Sequence, residues 1–470
     1  MDRTPSLAIP YDGVTYTQGS DRYQDWEKSL TDIHLRALEN LVTNLMGLGG
    51  PATLVQQRSG SYNRVMRFEF QDSAGGDVAL KFPKPGHSDA ALAVEKVQNE
   101  AAWMEFLREN TTIPVPYVYS HGTEMHHLTP LKLPYILMEW VPGDGLREFL
   151  ANKPSDELRS TVYRQLASFH LQLWRLPLPF QGIASCTRDG ETGEWRSRRP
   201  LTMDMHQLVL GIHQYPRDWP TEKFESLGEY FAFLKRQQWV QLWTLRNINA
   251  PPEQAESSAH HLRLDDPKEI ARLRYEARYR FQQLLDSTHD QKRDDSFRVF
   301  NPDFDTRNMT VDPQTAQITG VFDLEFSNSM PAQFCCDAPL SLFRVLPGAS
   351  LDNGFFAWFL HEYESVLEQF LVAMEHEEEK AGMSSETALS ALMRESWDTK
   401  RIWISYALNN MDYLDAVYWA VLHRETYPDG VAPELPPEVK VEMEEYVAHT
   451  IKQLAEYDKA WSDYFRHVVV

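Results

Sequence analysis

The stretch at residues 296–326, SFRVFNPDFDTRNMTVDPQTAQITGVFDLEF, limits what this chain can fold into more than any other stretch. Two short apolar runs lie on either side of an Asp312-Pro313 turn, and this pattern predicts a β-hairpin. Asn308 precedes the first strand and Asp323 follows the second, so the hairpin should bring these two side chains together. An amide oxygen beside a carboxylate suits a hard divalent cation such as Mg²⁺.

A lysine and a glutamate upstream form a second informative pair. An antiparallel meander is predicted by three strand candidates at residues 53–57, 65–71 and 77–82. Lys81 lies inside the third strand, and Glu100 shares the apolar face of the next helix with Trp103 and Leu107. A glutamate on an inward face needs a partner, and Lys81 is the candidate, with Lys84 as a less well-placed rival. The alternative is that Lys81 reaches solvent at the edge of the sheet.

The loop between the first two strand candidates contains Gly60, Ser61, Tyr62 and Asn63. Glycine lets the backbone approach a ligand closely, so the amides of this loop could lie over phosphate groups. An ordinary hairpin loop explains the same residues as well.

The order of these residues resembles a known catalytic core. Asp303-x-x-x-x-Asn308, followed by Asp323 on a strand, is similar to the core of the protein-kinase-like superfamily. Asp323-Leu-Glu325 and the run NEAAWMEFLRENTTIPVPYVY look like the aminoglycoside phosphotransferase branch in its fungal "phosphotransferase enzyme family" form. The resemblance implies an α+β, bilobal protein-kinase-like fold. Its small N-lobe would have an antiparallel sheet and one key helix, and its large, mainly helical C-lobe would carry a C-terminal helical extension.

The resemblance also implies a reaction. Asp303 would orient the acceptor hydroxyl or accept its proton, and Asn308 and Asp323 would hold Mg²⁺. The implied protein is an ATP-dependent phosphotransferase, a small-molecule kinase that transfers the γ-phosphate to a hydroxyl of an unknown acceptor.

The N-lobe residues would bind the nucleotide. Lys81, held by Glu100, would pair with the α and β phosphates beneath the loop at residues 60–63. The adenine would receive hydrogen bonds from the backbone of three residues after a buried strand, Glu139, Trp140 and Val141.

Two departures from the family pattern leave other hypotheses open. Asn301 stands where the family often has a histidine that supports the catalytic loop, and the phosphate loop has one glycine where protein kinases have three. Both departures favour a catalytically silent, pseudokinase-like binding protein. A third hypothesis is that the kinase-like fold serves another reaction in secondary metabolism.

The charge balance excludes some classes of partner. The chain has 46 Lys and Arg against 68 Asp and Glu, a net charge of −22, which argues against nucleic acid and anionic membranes as partners. It permits a cationic small-molecule substrate. The three cysteines, Cys186, Cys335 and Cys336, form no disulfide framework, and no apolar run of about 18 residues occurs. We therefore expect a reduced, cytoplasmic protein of unknown oligomeric state.

The order of the elements predicts four segments. Residues 1–50 would form a polar lead-in and an amphipathic helix at 26–46, and residues 51–143 the nucleotide-binding N-lobe. Residues 144–350 would form the C-lobe with the catalytic and metal-binding loops and a helical insertion around 186–295. Residues 351–470 would form the helical extension, with three long helices from 353 to 468. The polar stretch 250–266 is a candidate mobile insertion.

Overall fold

The computed structural model of the chain describes residue 7 and residues 12–48, 50–70, 76–123, 132–248, 266–289, 296–383 and 388–466. Apart from Asp266, the predicted insertion at 250–266 lies outside these residues. Within them, no helix combines the length and the apolar character that crossing a bilayer requires.

A five-stranded antiparallel sheet forms the small lobe. It contains β1 (Ala52–Ser59), β2 (Asn63–Phe70), β3 (Val78–Pro83), β4 (Val118–Gly122) and β5 (Tyr135–Glu139), in the order β1-β2-β3-β5-β4. The helices of this part of the chain are α1 (Gly13–Ser29), α2 (Asp32–Met46) and α3 (Ala90–Asn110). The predicted meander of the first three strands is therefore confirmed.

Strand alternation decides where Lys81 points. Leu80 and Phe82 on β3 pack in one apolar cluster with Leu38 of α2. Ala79 packs in the other cluster, with residues of α3. Since successive side chains on a strand point to opposite faces, Lys81 shares the α3 side of the sheet with Ala79. It is 6% exposed and does not reach solvent at the sheet edge.

The prediction of one helix at 26–46 is wrong, and residues 13–20 of the predicted polar lead-in are already helical. The chain forms α1 and α2, separated by Leu30 and Thr31 in extended conformations. Thr31 and His34 form the capping box that begins α2. The first helix already begins at Gly13, capped by Asp12. Its buried stripe is narrow, because only Val14, Gly19 and Tyr23 are fully covered, so the sequence gives it little apolar periodicity.

The large lobe is mainly helical. Its first part contains β6 (Asp144–Gly145), α4 (Leu146–Ala151), α5 (Asp156–Arg175), β7 (Ser185–Arg188), β8 (Trp195–Arg198), α6 (Met203–Gly211), α7 (Leu227–Thr244), α8 (Pro267–His289), β9 (Phe297–Phe300), β10 (Met309–Val311), β11 (Ile318–Val321) and β12 (Asn328–Pro331). Its last part contains α9 (Pro347–Asp352), α10 (Phe356–Lys380), α11 (Leu389–Asp398), α12 (Arg401–Asn409), α13 (Leu414–Val417), a π-helical turn (Tyr418–Leu422), α14 (His423–Thr426) and α15 (Pro437–Arg466). A small sheet with a mostly helical remainder confirms the predicted fold class.

The prediction of three long helices between 353 and 468 is wrong. Only α10 and α15 are long, and shorter helices lie between them. Lys400, with a φ of 61°, turns the chain between α11 and α12, and Asn410 ends α12 in a non-helical conformation. Neither break is marked by glycine or proline, so the apolar pattern alone predicts a helix that continues across both.

The hairpin predicted at residues 296–326 is confirmed. The strands β10 and β11 pair antiparallel, and β9 pairs with β12. The N–H of Phe322 donates to the carbonyl of Asn308 at 2.9 Å, so the end of the second strand lies against the start of the first. This pairing places Asp323 beside the loop that carries Asp303 and Asn308.

Candidate active site

The loop after β9 is joined to the loop after β11 by one side chain. The Nδ2 of Asn301 donates to the carbonyl of Asp323 at 3.1 Å, and its Oδ1 accepts from the N–H of Asp303 at 2.9 Å. Asp323 has a φ of 63°, a left-handed conformation that costs about 1 kcal/mol for a residue other than glycine. Asn301 therefore fixes both candidate carboxylates at once.

Asp303 is held by its neighbours in the same loop. The Nδ2 of Asn308 donates to Asp303 Oδ2 at 2.8 Å, and Arg307 Nη2 lies 3.1 Å from Asp303 Oδ1. Arg307 also pairs with Asp305, whose carboxylate accepts from the Arg307 N–H. Burial and the nearby charge of Asp323 raise the pKa of Asp303 to about 7. A carboxyl group with this pKa is suited to taking up a proton near neutral pH.

Lys81 lies between two carboxylates. Its Nζ is 2.7 Å from Glu100 Oε1 and 2.7 Å from Asp323 Oδ1. Glu100 also accepts from the N–H of Leu324 at 3.3 Å, which anchors the loop after β11 to α3. Burial alone would lower the pKa of Lys81, but the two carboxylates outweigh it and raise that pKa. Burial raises the pKa of Glu100 to about 7 although Lys81 opposes the shift.

The loop at residues 60–63 is fastened to the protein at several points. Lys84 Nζ donates to the Gly60 carbonyl at 3.0 Å, and the Lys84 N–H donates to the Tyr62 carbonyl at 2.8 Å. Lys84, the residue after β3, thus supports the loop and does not line the cleft below it. The Tyr62 ring lies 4.6 Å from the ring of His206 on α6, so the loop also contacts the large lobe. Contacts of this kind restrict the loop without the three glycines of protein kinases.

The segment after β5 presents one free amide. The N–H of Glu139 donates to the Tyr117 carbonyl at 2.8 Å, and the N–H of Trp140 donates to the Asp77 carbonyl at 3.0 Å. Of the three predicted adenine contacts, only the Val141 amide has no partner among the residues that the structure describes. Of these three residues, Val141 is therefore the one whose N–H an adenine in this cleft could receive.

All the predicted site residues line one cleft of about 810 Å³ between the lobes. They are Gly60, Ser61, Tyr62, Asn63, Lys81, Glu100, Glu139, Trp140, Val141, Asp303, Asn308 and Asp323. Their individual roles remain predictions.

Sequence reasoning missed a second buried ion pair. Lys96 Nζ lies 3.2 Å from Glu325 Oε2, and both side chains are almost fully buried. Glu325 Oε2 also accepts from Asn63 Nδ2 at 3.0 Å, so the loop at residues 60–63 is joined to the loop after β11. A signal was present, because Lys96 lies one helical turn before Glu100 and therefore on the same inward face of α3.

Carboxylate oxygens of Glu100, Asp323 and Glu325 lie within 4.8 Å of one another. Glu100 and Glu325 are already engaged by Lys81 and Lys96. Asp323 is the most exposed of the three, so it is the carboxylate best placed to meet a cation in the cleft.

A two-lobed fold with this cleft defines a kinase-like phosphotransferase. Residues 53–368 match the phosphotransferase enzyme family, and the chain belongs to that family. The predicted family is thereby confirmed.

Curated relatives match only part of this chain. A subtelomeric hrmA-associated cluster protein of Aspergillus fumigatus is 28% identical over 167 residues, which cover 36% of this chain and 30% of the relative. The mitochondrial protein "altered inheritance of mitochondria protein 9" of Candida tropicalis is 34% identical over 87 residues, 18% of this chain and 13% of the relative. The chain therefore matches less than a third of the length of either relative.

Solved structures resemble the chain over most of its length at low identity. The GDP complex of wild-type aminoglycoside 2′-phosphotransferase-IIIa shares 14% identity, with a TM-score of 0.40, over 88% of this chain and 98% of that one. The streptomycin–ATP complex of APH(2″)-IIa shares 11% identity, with a TM-score of 0.39, over 90% of this chain and 99% of that one.

Proposed function

We propose that the chain is a Mg²⁺-dependent kinase that transfers the γ-phosphoryl group of ATP to a hydroxyl of a small molecule. The observation that carries the proposal is the contact of Lys81 with both Glu100 and Asp323, in the same cleft as Asp303 and Asn308. This is the set of charges that phosphoryl transfer requires: a cation for phosphates, oxygen ligands for a metal and a carboxylate for the acceptor.

The acceptor oxygen would form a bond to the γ-phosphorus while the bond from that phosphorus to the β–γ bridging oxygen breaks. ADP leaves with the electron pair, and the hydroxyl proton passes to Asp303. The raised pKa of Asp303 supports this role, since a carboxylate with a pKa of about 7 holds a proton better than an ordinary aspartate.

The residues at the cleft fit Mg²⁺. Asn308 uses its Nδ2 to bind Asp303, which leaves its Oδ1 for a cation, and Asp323 offers a half-buried carboxylate. Amide and carboxylate oxygens are the hard ligands that Mg²⁺ prefers. When bound, the ion would neutralise negative charge on the phosphates.

Asn301 bears on the alternative of a silent binding protein. Its substitution for histidine favoured that alternative in the sequence. In the structure its amide joins the two loops, so the support that the histidine would give is supplied by other atoms. A catalytic chain is the better supported proposal.

Mg·ATP binding tests the proposal. We expect Mg·ATP to raise the melting temperature of the protein, and Asp323→Ala to abolish the shift. Asp463→Ala, on an exposed face of α15, is the matched control and should keep it. Asp303→Asn should keep the shift and lose ADP formation. The absence of any shift in the unaltered protein would contradict the proposal.

A further inference from the structure

A second cavity, of about 230 Å³, lies beside the catalytic loop. Its walls come from α5, α12, the loop that carries Asp303 and the segment before α9. Most of its lining is apolar or aromatic, and the larger contributors are Trp174, Phe304, Phe334, Leu340, Ile402 and Tyr406. It is a concave, mainly apolar site of the kind that holds small ligands.

The cavity reaches the candidate catalytic centre. Asn301 and Pro302 line it, and both directly precede Asp303 in the chain. Arg307 lines both this cavity and the nucleotide cleft, and its Nη2 lies 3.1 Å from Asp303 Oδ1. A molecule in the cavity could therefore extend a hydroxyl past Arg307 to Asp303.

The charges of the lining are already paired. Among the described residues, the lining includes three ionised side chains, Asp305, Arg307 and Asp337. Asp305 Oδ2 lies 2.9 Å from Arg307, and Asp337 Oδ1 lies 3.3 Å from Arg401. A polycation entering the cavity would lose hydration and find no free carboxylate, which is unfavourable.

One of the aromatic walls of the cavity is already covered by a cation. The guanidinium carbon of Arg298 lies 5.0 Å from the ring centre of Trp174, so a cation already covers that ring. Burial lowers the pKa of His170, which also lines the cavity, to about 4, so this imidazole is neutral near pH 7. Arg307 at the mouth would repel a second positive charge.

Uncharged acceptors of hydrogen bonds are available on α12 and just after it. Asn409 donates its Nδ2 to the Ser405 carbonyl at 2.9 Å, and Asn410 donates its Nδ2 to the Tyr406 carbonyl at 3.0 Å. Their Oδ1 atoms have no partner among the described residues, so either could receive a ligand hydroxyl.

We propose that this cavity holds the body of the phosphoryl acceptor, and that the acceptor is an uncharged, largely apolar alcohol or phenol rather than an amine-bearing polycation. The proposal rests on the proposed kinase function. It differs from the cationic substrate that the net charge of the whole chain permits, because that charge is not present as free carboxylates in the cavity.

Two probes of the same shape test whether the cavity prefers an uncharged ligand or a cation. The first is 2-naphthalenemethanol, which is uncharged, and the second is 2-naphthalenemethylamine, which is a cation near pH 7. Binding is measured by calorimetry on the full chain without nucleotide. For fragments of this size we expect the alcohol to bind with a roughly millimolar Kd, and the amine to bind at least tenfold more weakly. Equal or tighter binding of the amine, or of kanamycin, would overturn the proposal.

Two variants locate the binding. Ser405→Phe places a ring in the cavity from α12, and Asn409→Ala removes one hydrogen-bond acceptor. We expect Ser405→Phe to weaken alcohol binding at least tenfold and Asn409→Ala about threefold, while Ser365→Phe on an exposed face of α10 changes nothing. Asn409→Ala keeps the test valid if Ser405→Phe does not fold. Alcohol binding that both cavity variants leave unchanged would overturn the assignment of the cavity.

The Mg·ATP thermal shift, recorded on the same samples, separates the two proposals. A shift without alcohol binding would overturn the cavity proposal and leave the kinase proposal standing. Alcohol binding without a shift would contradict the kinase proposal and remove the acceptor role from the cavity. Alcohol binding, a retained shift and ADP formation that rises severalfold with the alcohol but not with the amine are the results that we expect.

Discussion

Two buried lysine–glutamate pairs each include one residue of helix α3, and they differ in whether they line the cleft. Lys81 reaches Glu100 on the helix from β3, whereas Lys96 on the helix reaches Glu325 in the loop after β11. The first pair lines the cleft between the lobes, and its lysine also contacts Asp323. The second pair does not line the cleft and instead receives Asn63 from the phosphate loop.

The comparison shows that one helix can contribute both to the candidate active site and to the packing that stabilises it. The contact of Lys81 with Asp323 is exchangeable, because a phosphate could replace Asp323 as the partner of Lys81 while a metal ion binds the released carboxylate. Lys96 lies 5.5 Å from the ring centre of Tyr62 and 5.0 Å from that of Phe326, and it is 1% exposed. We therefore expect substitution of Lys96 to affect mainly stability and substitution of Lys81 to affect mainly nucleotide binding.

Lys96→Met should have the largest effect on stability. It leaves the Glu325 carboxylate buried without its cation, which costs about 3–5 kcal/mol. Lys81→Met should cost less, because Glu100, with a pKa near 7, can become neutral. Urea unfolding of both variants checks this order. Equal losses of unfolding free energy would show that the two pairs are equivalent supports.

Lys81→Met should have the larger effect on nucleotide binding. A charged hydrogen bond to a phosphate contributes about 1.5–3 kcal/mol, so the Kd for Mg·ATP should rise about 10- to 150-fold. Lys84→Met is the matched control, since Lys84 supports the loop from outside the cleft and should change the Kd much less. Calorimetric titration measures both. A larger loss for Lys84→Met would reverse the assignment of the two lysines.

The same pairs show what the sequence could predict. Lys81 and Glu100 were predictable because a lysine in an apolar strand and a glutamate on an apolar helix face each require a partner. Asn308 and Asp323 were predicted from the hairpin that joins them, and Asp303 from the resemblance to the kinase-like core. Lys96 and Glu325 were not predicted as a pair, because Glu325 reaches α3 only after the small and large lobes pack together. Local pattern cannot specify such a contact.

The other wrong predictions concern helix breaks that depend on the backbone conformation of one or two residues. The break between α1 and α2 and the turn at Lys400 have no glycine or proline, so the helical periodicity continues through them. Of the three predicted adenine contacts, Val141 alone has an unpaired amide among the described residues. This also depends on tertiary structure, since the partners of Glu139 and Trp140 are carbonyls from other segments.

The pH dependence of stability should have opposite signs at the two glutamates. The pKa of Glu100 is raised from 4.5 to about 7, so its folded form retains a proton that the unfolded chain has lost, and stability falls as pH rises between these values. Burial alone would raise the pKa of Glu325, but Lys96 and Lys81 lower it, so its stabilisation is present above 4.5 and is lost in acid.

Unfolding at a series of pH values separates these contributions. Glu100→Gln should flatten the decline from pH 5 to 7, by up to about 1 kcal/mol per pH unit. Glu325→Gln should flatten the loss of stability below pH 4.5 and leave the decline above pH 5 in place. If the unfolding free energies of the two variants changed with pH in the same way, the predicted difference between Glu100 and Glu325 would be contradicted.

Asn63→Ala should have the smallest effect on nucleotide binding, and it tests most directly whether the Lys96–Glu325 pair contributes to that binding. It removes the hydrogen bond from the phosphate loop to Glu325, worth about 0.5–1.5 kcal/mol, so the Kd for Mg·ATP should rise about 3- to 10-fold. Asn353→Ala, an exposed asparagine outside the cleft, should leave the Kd unchanged.

The double variant decides whether Asn63 acts through Glu325 or touches the nucleotide itself. If the loop is positioned by the hydrogen bond, Glu325→Ala should weaken binding by a similar factor, and the double variant should be no weaker than either single variant. Direct contact of Asn63 with a phosphate would instead make the two losses additive. Additivity would show that Asn63 and Glu325 affect nucleotide binding independently, so that the hydrogen bond between them is not what positions the loop.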